Sequence, residues 1–404
     1  MRHDHRDETL SATRRSFLQG TAAAAVLPSA LARAAAPART IKLGVIGCGG
    51  RGSWLAGLFK KHGGYTMHAV CDYFPDIADR VGDALGVDKT RRFSTLSGYK
   101  RLFESGVEAV ALIVPPCFLP LHSSAAVAAG LHVYMAKPVS VDVPGAQLVA
   151  NAGELATRKR QCFFVDYQMP TDPANMAIVE KVRSGAIGKM AQVWTIGIGG
   201  GFADPPLTST IESRLRGLVW VNDIAIGGDY VVNYDIHAID AALWVIGQRP
   251  IAAAGGSRVC RPDPHGDGRD VCSVIFEYAD GLVHNHFGEG LRNSVPGELS
   301  CRVHGTTGHA LINYWGNAEL LGAKDNTKTP VDNLYEAGAT RNIATFHKLV
   351  STGDCANVTV RRSVDGALAT ILAREAAARH TRLTMDELIK ENRRVEVDLR
   401  GLKA

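Results

Sequence analysis

Ile41-Lys42-Leu43-Gly44-Val45-Ile46-Gly47-Cys48-Gly49-Gly50-Arg51-Gly52 is the stretch that decides the fold. An apolar, strand-type run passes directly into GxGxxG, with Gly47, Gly49 and Gly52 at the fixed places, and a helix-compatible run from Ser53 to Lys61 follows. Strand, glycine turn and helix in that order make a cradle for the pyrophosphate of a dinucleotide. The first glycine permits the tight turn, the second lets backbone approach phosphate, and the third lets the helix pack close to the strand. Gly50 belongs to the same cradle. The next apolar run, Thr66-Met67-His68-Ala69-Val70-Cys71, ends at Asp72, twenty residues past Gly52. An acid there accepts hydrogen bonds from ribose hydroxyls and repels a 2′-phosphate. No Arg or Lys follows until Arg80, so the pattern predicts NAD in preference to NADP.

Working outward, strand and helix patterns alternate from Thr40 to about Phe164. Strands are predicted over Ile41–Ile46, Tyr65–Cys71, Ala109–Val114, His132–Met135 and Cys162–Val165. This is the order of a doubly wound parallel sheet, the Rossmann arrangement. Beyond about Gln168 the pattern changes to a helix, Asn175–Ser184, and six long strands. These are Ala191–Gly199, Ala252–Val259, Asp270–Tyr278, Leu282–Gly288, Leu299–Val303 and His309–Tyr314, with a hairpin turn at Ala279-Asp280-Gly281. They predict an open-faced, predominantly antiparallel sheet domain, closed by a helix over Val364–Arg379. The expected division is a leader and linker over 1–38, a nucleotide domain over 39–166 and a substrate and oligomerisation domain over 167–404.

The leader has its own signal. Thr13-Arg14-Arg15-Ser16-Phe17-Leu18 is a twin-arginine pattern, followed by an apolar stretch to Leu27, Pro28 and the small-residue site Ala32-Arg33-Ala34. The stretch is too short to span a bilayer, which takes about 20 apolar residues. The expectation is therefore a protein carried out of the cytoplasm by the twin-arginine machinery, without stable membrane insertion. That route carries folded proteins, and no free NAD pool is expected beyond the membrane, so the cofactor must be loaded first and kept. The formal charge of +5 comes without a basic run outside the leader, which argues against nucleic-acid binding. Eight scattered cysteines with no CxxC predict neither a structural disulfide nor a zinc site. His284 and His286 share a strand face, but no carboxylate or Cys cluster adjoins them in sequence, so no metal site is predicted.

The chain resembles the Gfo/Idh/MocA oxidoreductases, the glucose–fructose oxidoreductase and inositol dehydrogenase family. The resemblance rests on G-C-G-G-R-G at Gly47–Gly52, G-L-H-V-Y-M-A-K-P at Gly130–Pro138, G-G-D-Y-V-V-N-Y-D-I-H-A-I-D at Gly227–Asp240, V-H-G-T-T-G at Val303–Gly308 and Ile371–Ala377. It implies an NAD-dependent enzyme that transfers hydride between a secondary alcohol of a carbohydrate or polyol and tightly bound nicotinamide. It also implies oligomers formed through the open sheet. Lys137 is implied at the nicotinamide, steadying oxygen charge, and His237 as general base. Three positions depart from the family: Ala136 stands where Glu is usual, Asn233, four residues before His237, stands where Asp is usual, and Val114 stands where Ser or Thr is common. Asn233 is expected to share a helix face with His237, and Asp240 to hold the imidazole in one tautomer. Pro115, directly after the Ala109–Val114 strand, is expected at the cofactor, and Gln168, Asp235 and Trp220 at the substrate. Two alternatives stand beside this reading. One is a redox-neutral glycoside hydrolase, lyase or epimerase that uses NAD transiently. The other is a non-catalytic sugar or nucleotide binder.

Overall fold

The computed structural model describes residues 39–404 except Lys324. The leader read in the first 38 residues lies outside the described residues. The first sheet contains β1 (Ile41–Ile46), β2 (Tyr65–Asp72), β3 (Arg92–Ser94), β4 (Ala109–Leu112), β5 (His132–Ala136) and β6 (Phe163–Asp166), in spatial order β3-β2-β1-β4-β5-β6. Every pairing is parallel. Helices α1 (Gly50–His62), α2 (Pro75–Leu85), α3 (Gly98–Phe103), α4 (Leu119–Ala128) and α5 (Val143–Arg158) connect the strands. Covered on both faces, β1 and β4 read as near-continuous apolar runs, as parallel strands do. The strand order reverses between β1 and β4, so the crevice at their carboxyl ends is the place where such a sheet takes a ligand.

After α6 (Pro173–Arg183), the second sheet begins with β7 (Met190–Ile198). A short α7 (Ile224–Gly227) and α8 (Ile236–Ile246) precede β8 (Ala252–Arg258), β9 (Val271–Glu277), β10 (Val283–Glu289), β11 (Glu298–Gly305) and β12 (His309–Asn313). Three further strands of this sheet, β13 (Asn317–Leu321), β14 (Asn326–Pro330) and β15 (Leu383–Thr384), are not among those predicted from sequence, nor is β3 of the first sheet. The nine strands run β14-β13-β12-β11-β7-β10-β9-β8-β15. Only the β7–β10 pair is parallel; the others are antiparallel. The predicted hairpin joins β9 to β10, with Gly281 at φ 82.

Two helices of the later chain cover the first sheet as well. α9 (Leu334–Thr352), absent from the sequence reading, places Ile343, Phe346 and Val350 in one core with Ile41, Leu43 and Val45. α10 (Val358–Arg379) packs against α5, α8 and β8. It does not end the fold as expected. The chain goes on through β15, then α11 (Met385–Glu391), started by a Thr384/Glu387 capping box. A coil then returns toward the first sheet, where Val395 N–H donates to Asp142. No helix among the described residues is long and apolar enough to cross a membrane.

Candidate active site at the carboxyl ends of the first sheet

The glycine turn shows two kinds of constraint. Gly47 has φ +87, and a Cβ on it would lie 2.1 Å from the Ile113 carbonyl oxygen; one on Gly52 would lie 1.8 Å from the Gly47 carbonyl oxygen. Both are required by packing. A Cβ on Gly49 or Gly50 would meet no atom within 4 Å. These two border open space at the start of α1, which has no side-chain cap and no acid in its first turn. Free N–H groups and the positive end of the helix dipole therefore face that space, a setting that suits a pyrophosphate. Asp72 is pinned beside it, accepting from Cys48 N–H at 2.8 Å and Phe74 N–H at 3.0 Å. Each carboxylate oxygen keeps lone-pair capacity for a ribose hydroxyl. Burial raises the Asp72 pKa, and these two N–H groups oppose the rise. Val114 and Pro115, after β4, form the adjoining wall, with Val114 Cγ1 3.0 Å from a Cβ built on Gly47. The residues present fit NAD.

Across the crevice, β5 ends at Ala136 and delivers Lys137 through a cis Lys137–Pro138 bond. Its Nζ donates to the Asn233 carbonyl oxygen at 2.5 Å. Burial first, and Arg51 second, push the Lys137 pKa down to about 7, against the pull of Asp166 and Asp235. His237 sits between Tyr167 and Tyr314, with ring centroids 6.3 and 5.3 Å away. Its buried Nδ1 has no partner within the protein. Burial, then Lys137 and Arg51, hold its pKa well below the ordinary histidine value, so it is neutral.

Lys137, Asn233 and His237 do come together, but not on one face of a regular helix. Residues Val231–Asp235 form a π-helical turn that runs into α8, and it is the Asn233 carbonyl that meets Lys137. Asp235 turns to the second sheet. It is fully buried and accepts from His286 Nε2 at 3.1 Å, occupying room left by Gly197 and Gly288, where a Cβ would come within 2.1 and 2.0 Å of its oxygens. Asp240 accepts from Arg362 Nε at 2.9 Å instead of holding the imidazole, because α10 brings that guanidinium to it. Gln168 is buried, its amide donating to Asp166 at 2.9 Å and accepting from the Tyr314 hydroxyl at 3.4 Å. Trp220 lies half-buried in the 3-10 turn Val219–Asn222, its carbonyl crowding Gly227.

The sequence reading missed Arg51, although it stands inside the glycine motif. Its guanidinium spans the crevice to Asp166 at 2.9 Å and lies over the rings of Trp54 and Tyr335. Asn342 on α9 also donates to Asp166. His284 and His286 have a carboxylate and a thiol nearby after all. Asp235, Cys272 and His286 hold their ligand-type atoms within 4.8 Å of one another. Hydrogen bonds account for the group: His286 Nδ1 and His284 Nε2 both share Thr195 Oγ1, at 3.0 and 2.7 Å.

The fold and site define a two-sheet protein with a dinucleotide cleft opposite a lysine and an imidazole. Residues 41–167 match the oxidoreductase family with an NAD-binding Rossmann fold, and residues 176–311 match the GFO/IDH/MocA C-terminal domain. The chain belongs to the Gfo/Idh/MocA family. It is 23% identical over 244 residues to the inositol 2-dehydrogenase of Rhizobium meliloti (strain 1021), covering 60% of this chain and 66% of that protein. The chain thus spans just under two thirds of that relative's length. Among solved structures, the aldose-aldose oxidoreductase from Caulobacter crescentus, complexed with glycerol, superposes with a TM-score of 0.71 at 17% identity, over 86% of this chain and 100% of that one. A levoglucosan dehydrogenase in complex with NADH gives the same TM-score and identity, over 86% and 99%.

Proposed function

We propose that the protein oxidises a secondary alcohol of a carbohydrate or polyol, with NAD held in the cleft between the glycine turn and Asp72. The observation that carries this reading is Lys137, a lysine pushed to about 7, placed beside a neutral His237 at the carboxyl end of the first sheet. NAD supplies the hydride acceptor. The chain's residues handle the proton. A neutral amine at Lys137 accepts the hydroxyl proton, and its charged form then steadies the carbonyl oxygen in the reverse direction. His237 stays neutral, donating or accepting one hydrogen bond to orient the hydroxyl. We therefore assign the proton to the lysine and not to the imidazole expected from sequence. Burial keeps the Lys137 pKa low, helped by Arg51, which is charged throughout and paired with Asp166. The names of the relatives (inositol, aldose, levoglucosan) support a polyhydroxylated substrate.

Export by the twin-arginine route belongs to the same proposal, supported by the leader sequence. So does self-association through the second sheet, supported by the outward residues Trp194, Ile275, Val283 and Phe287, which are 38–51% exposed on three adjacent strands.

The test is turnover of a polyol and aldose panel by the purified mature protein, followed by nicotinamide absorbance. Lys137→Met should lower kcat/KM for oxidation at least about a hundredfold. In the parent enzyme, kcat/KM should rise with pH through about 7 and then level off, because the amine is the active form. A flat profile, or full activity in Lys137→Met, would remove the proposed role.

A further inference from the structure

A second cleft, of about 550 Å³, lies just beyond Asp72, lined by Tyr73, Phe74, Asp76, Glu212, Arg216 and Lys403 among others. Three segments distant in sequence meet there. Tyr73 and Phe74 follow β2. Glu212 and Arg216 belong to the long connection of residues 199–223, which leaves β7 and crosses to the first sheet. Lys403 belongs to the C-terminal coil. The Tyr73 hydroxyl joins all three, donating to Glu212 Oε1 at 2.9 Å and accepting from Lys403 N–H at 3.1 Å. The Arg216 guanidinium lies 3.8 Å from the Phe74 ring centroid and pairs with both Asp76 oxygens, at 3.2 and 3.0 Å. The coil is secured from below, since Leu96 N–H donates to the Lys403 carbonyl oxygen at 3.1 Å. It also touches the connection, because a Cβ on Gly401 would lie 2.8 Å from Thr210.

We propose that this is a clasp over the adenosine end of the nucleotide, knotted at Tyr73, which slows NAD release. The proposal rests on the NAD reading of the main cleft and adds how the cofactor is kept. The place follows from chain geometry: Tyr73 is the residue after the ribose-facing Asp72, so a nucleoside on Asp72 extends into this second cleft. The stacked Phe74–Arg216 pair offers a flat surface for a purine. Asp76 and Glu212 disfavour an added 2′-phosphate. Arg216 is a cation near Asp72 that local sequence did not reveal, but it is already engaged by Asp76. The internal connection of residues 199–223 and the C-terminal coil are thus both tied to one phenol, next in sequence to Asp72.

The experiment measures NADH release from the full mature protein by displacement, for parent, Tyr73→Phe and a chain ending at Asp398. Tyr73→Phe keeps the ring packed edge-on against Phe74 and loses only the two hydrogen bonds. Release should quicken about tenfold in either variant. ADP-ribose should weaken in parallel, while nicotinamide mononucleotide, which lacks adenosine, should bind as in the parent. Release within about twofold of the parent in both variants, or an equal loss for nicotinamide mononucleotide, overturns the clasp alone. A parent protein that takes up no NADH overturns the clasp together with the reading of the main cleft.

Discussion

At the scale of single residues, the site depends on groups that burial has moved from their ordinary ionisation. Lys137 and His237 are both pushed toward neutrality, by burial and by Arg51. Removing the cation should therefore be visible at a distance: Arg51→Gln should raise the pH at which oxidation switches on, in a pH–rate profile. Asp235 is pushed the same way: burial raises its pKa, against the hydrogen bond from His286. It is buried with Oδ1 unpartnered and depends on His286, so His286→Ala leaves a carboxylate with only the Cys272 thiol beside it. That change should cost about 3 kcal/mol in urea unfolding, since breaking a buried pair leaves an uncompensated charge. The motifs made Lys137 and His237 legible in sequence because they stand at set places after recognisable strands and turns. The partners Arg51–Asp166, Arg362–Asp240 and Asp235–His286 were not legible. Each joins residues from separate elements, and nothing local marks one as the other's counterpart.

At the scale of elements, the glycine turn separates binding from folding. Gly52→Ala drives a methyl into the Gly47 carbonyl, so α1 must lift off β1, and the melting temperature should fall by several degrees in a thermal scan. Gly49→Ala meets nothing in the protein. Stability should hold while NADH affinity, by titration, drops about tenfold or more, because the methyl enters the phosphate space. The i, i+4 spacing of Asn233 and His237 is compatible with a regular or an irregular stretch, and only the structure shows the π turn at Val231–Asp235. Apolar periodicity reports which face is buried, not whether one extra residue has been accommodated in a turn. Packing also joins what spacing keeps apart. The buried thiols of Cys162, at the start of β6, and Cys355, between α9 and α10, lie 2.9 Å apart. Glutathione disulfide should oxidise this pair, the protein giving up two electrons and two protons as glutathione is reduced. Alkylation after unfolding in denaturant, followed by mass spectrometry, would show protection of these two cysteines and not of Cys48.

At the scale of the whole molecule, the second sheet leaves an apolar outer face over β7, β9 and β10, with Phe287 the most exposed of its four large side chains. Phe287→Asp points a charge out of that face without touching the buried side. Sedimentation should show a smaller species while unfolding stability stays near the parent value; an unchanged assembly would place the contact elsewhere. Sequence alone determined five of the six strands of the first sheet, its nucleotide cradle, the acid at the end of β2 and most strands of the second sheet. All of these are written in local periodicity and in glycine and proline positions that physical sterics leave few ways to satisfy. Only the tertiary structure decided that α9 completes the first core, that Asp235 belongs to the second sheet and Asp240 to Arg362, and that the C-terminal coil returns to Tyr73. These are meetings of chain segments from 51 to 330 residues apart, chosen by which surfaces pack and which charges find a partner. No stretch of sequence read by itself carries that information.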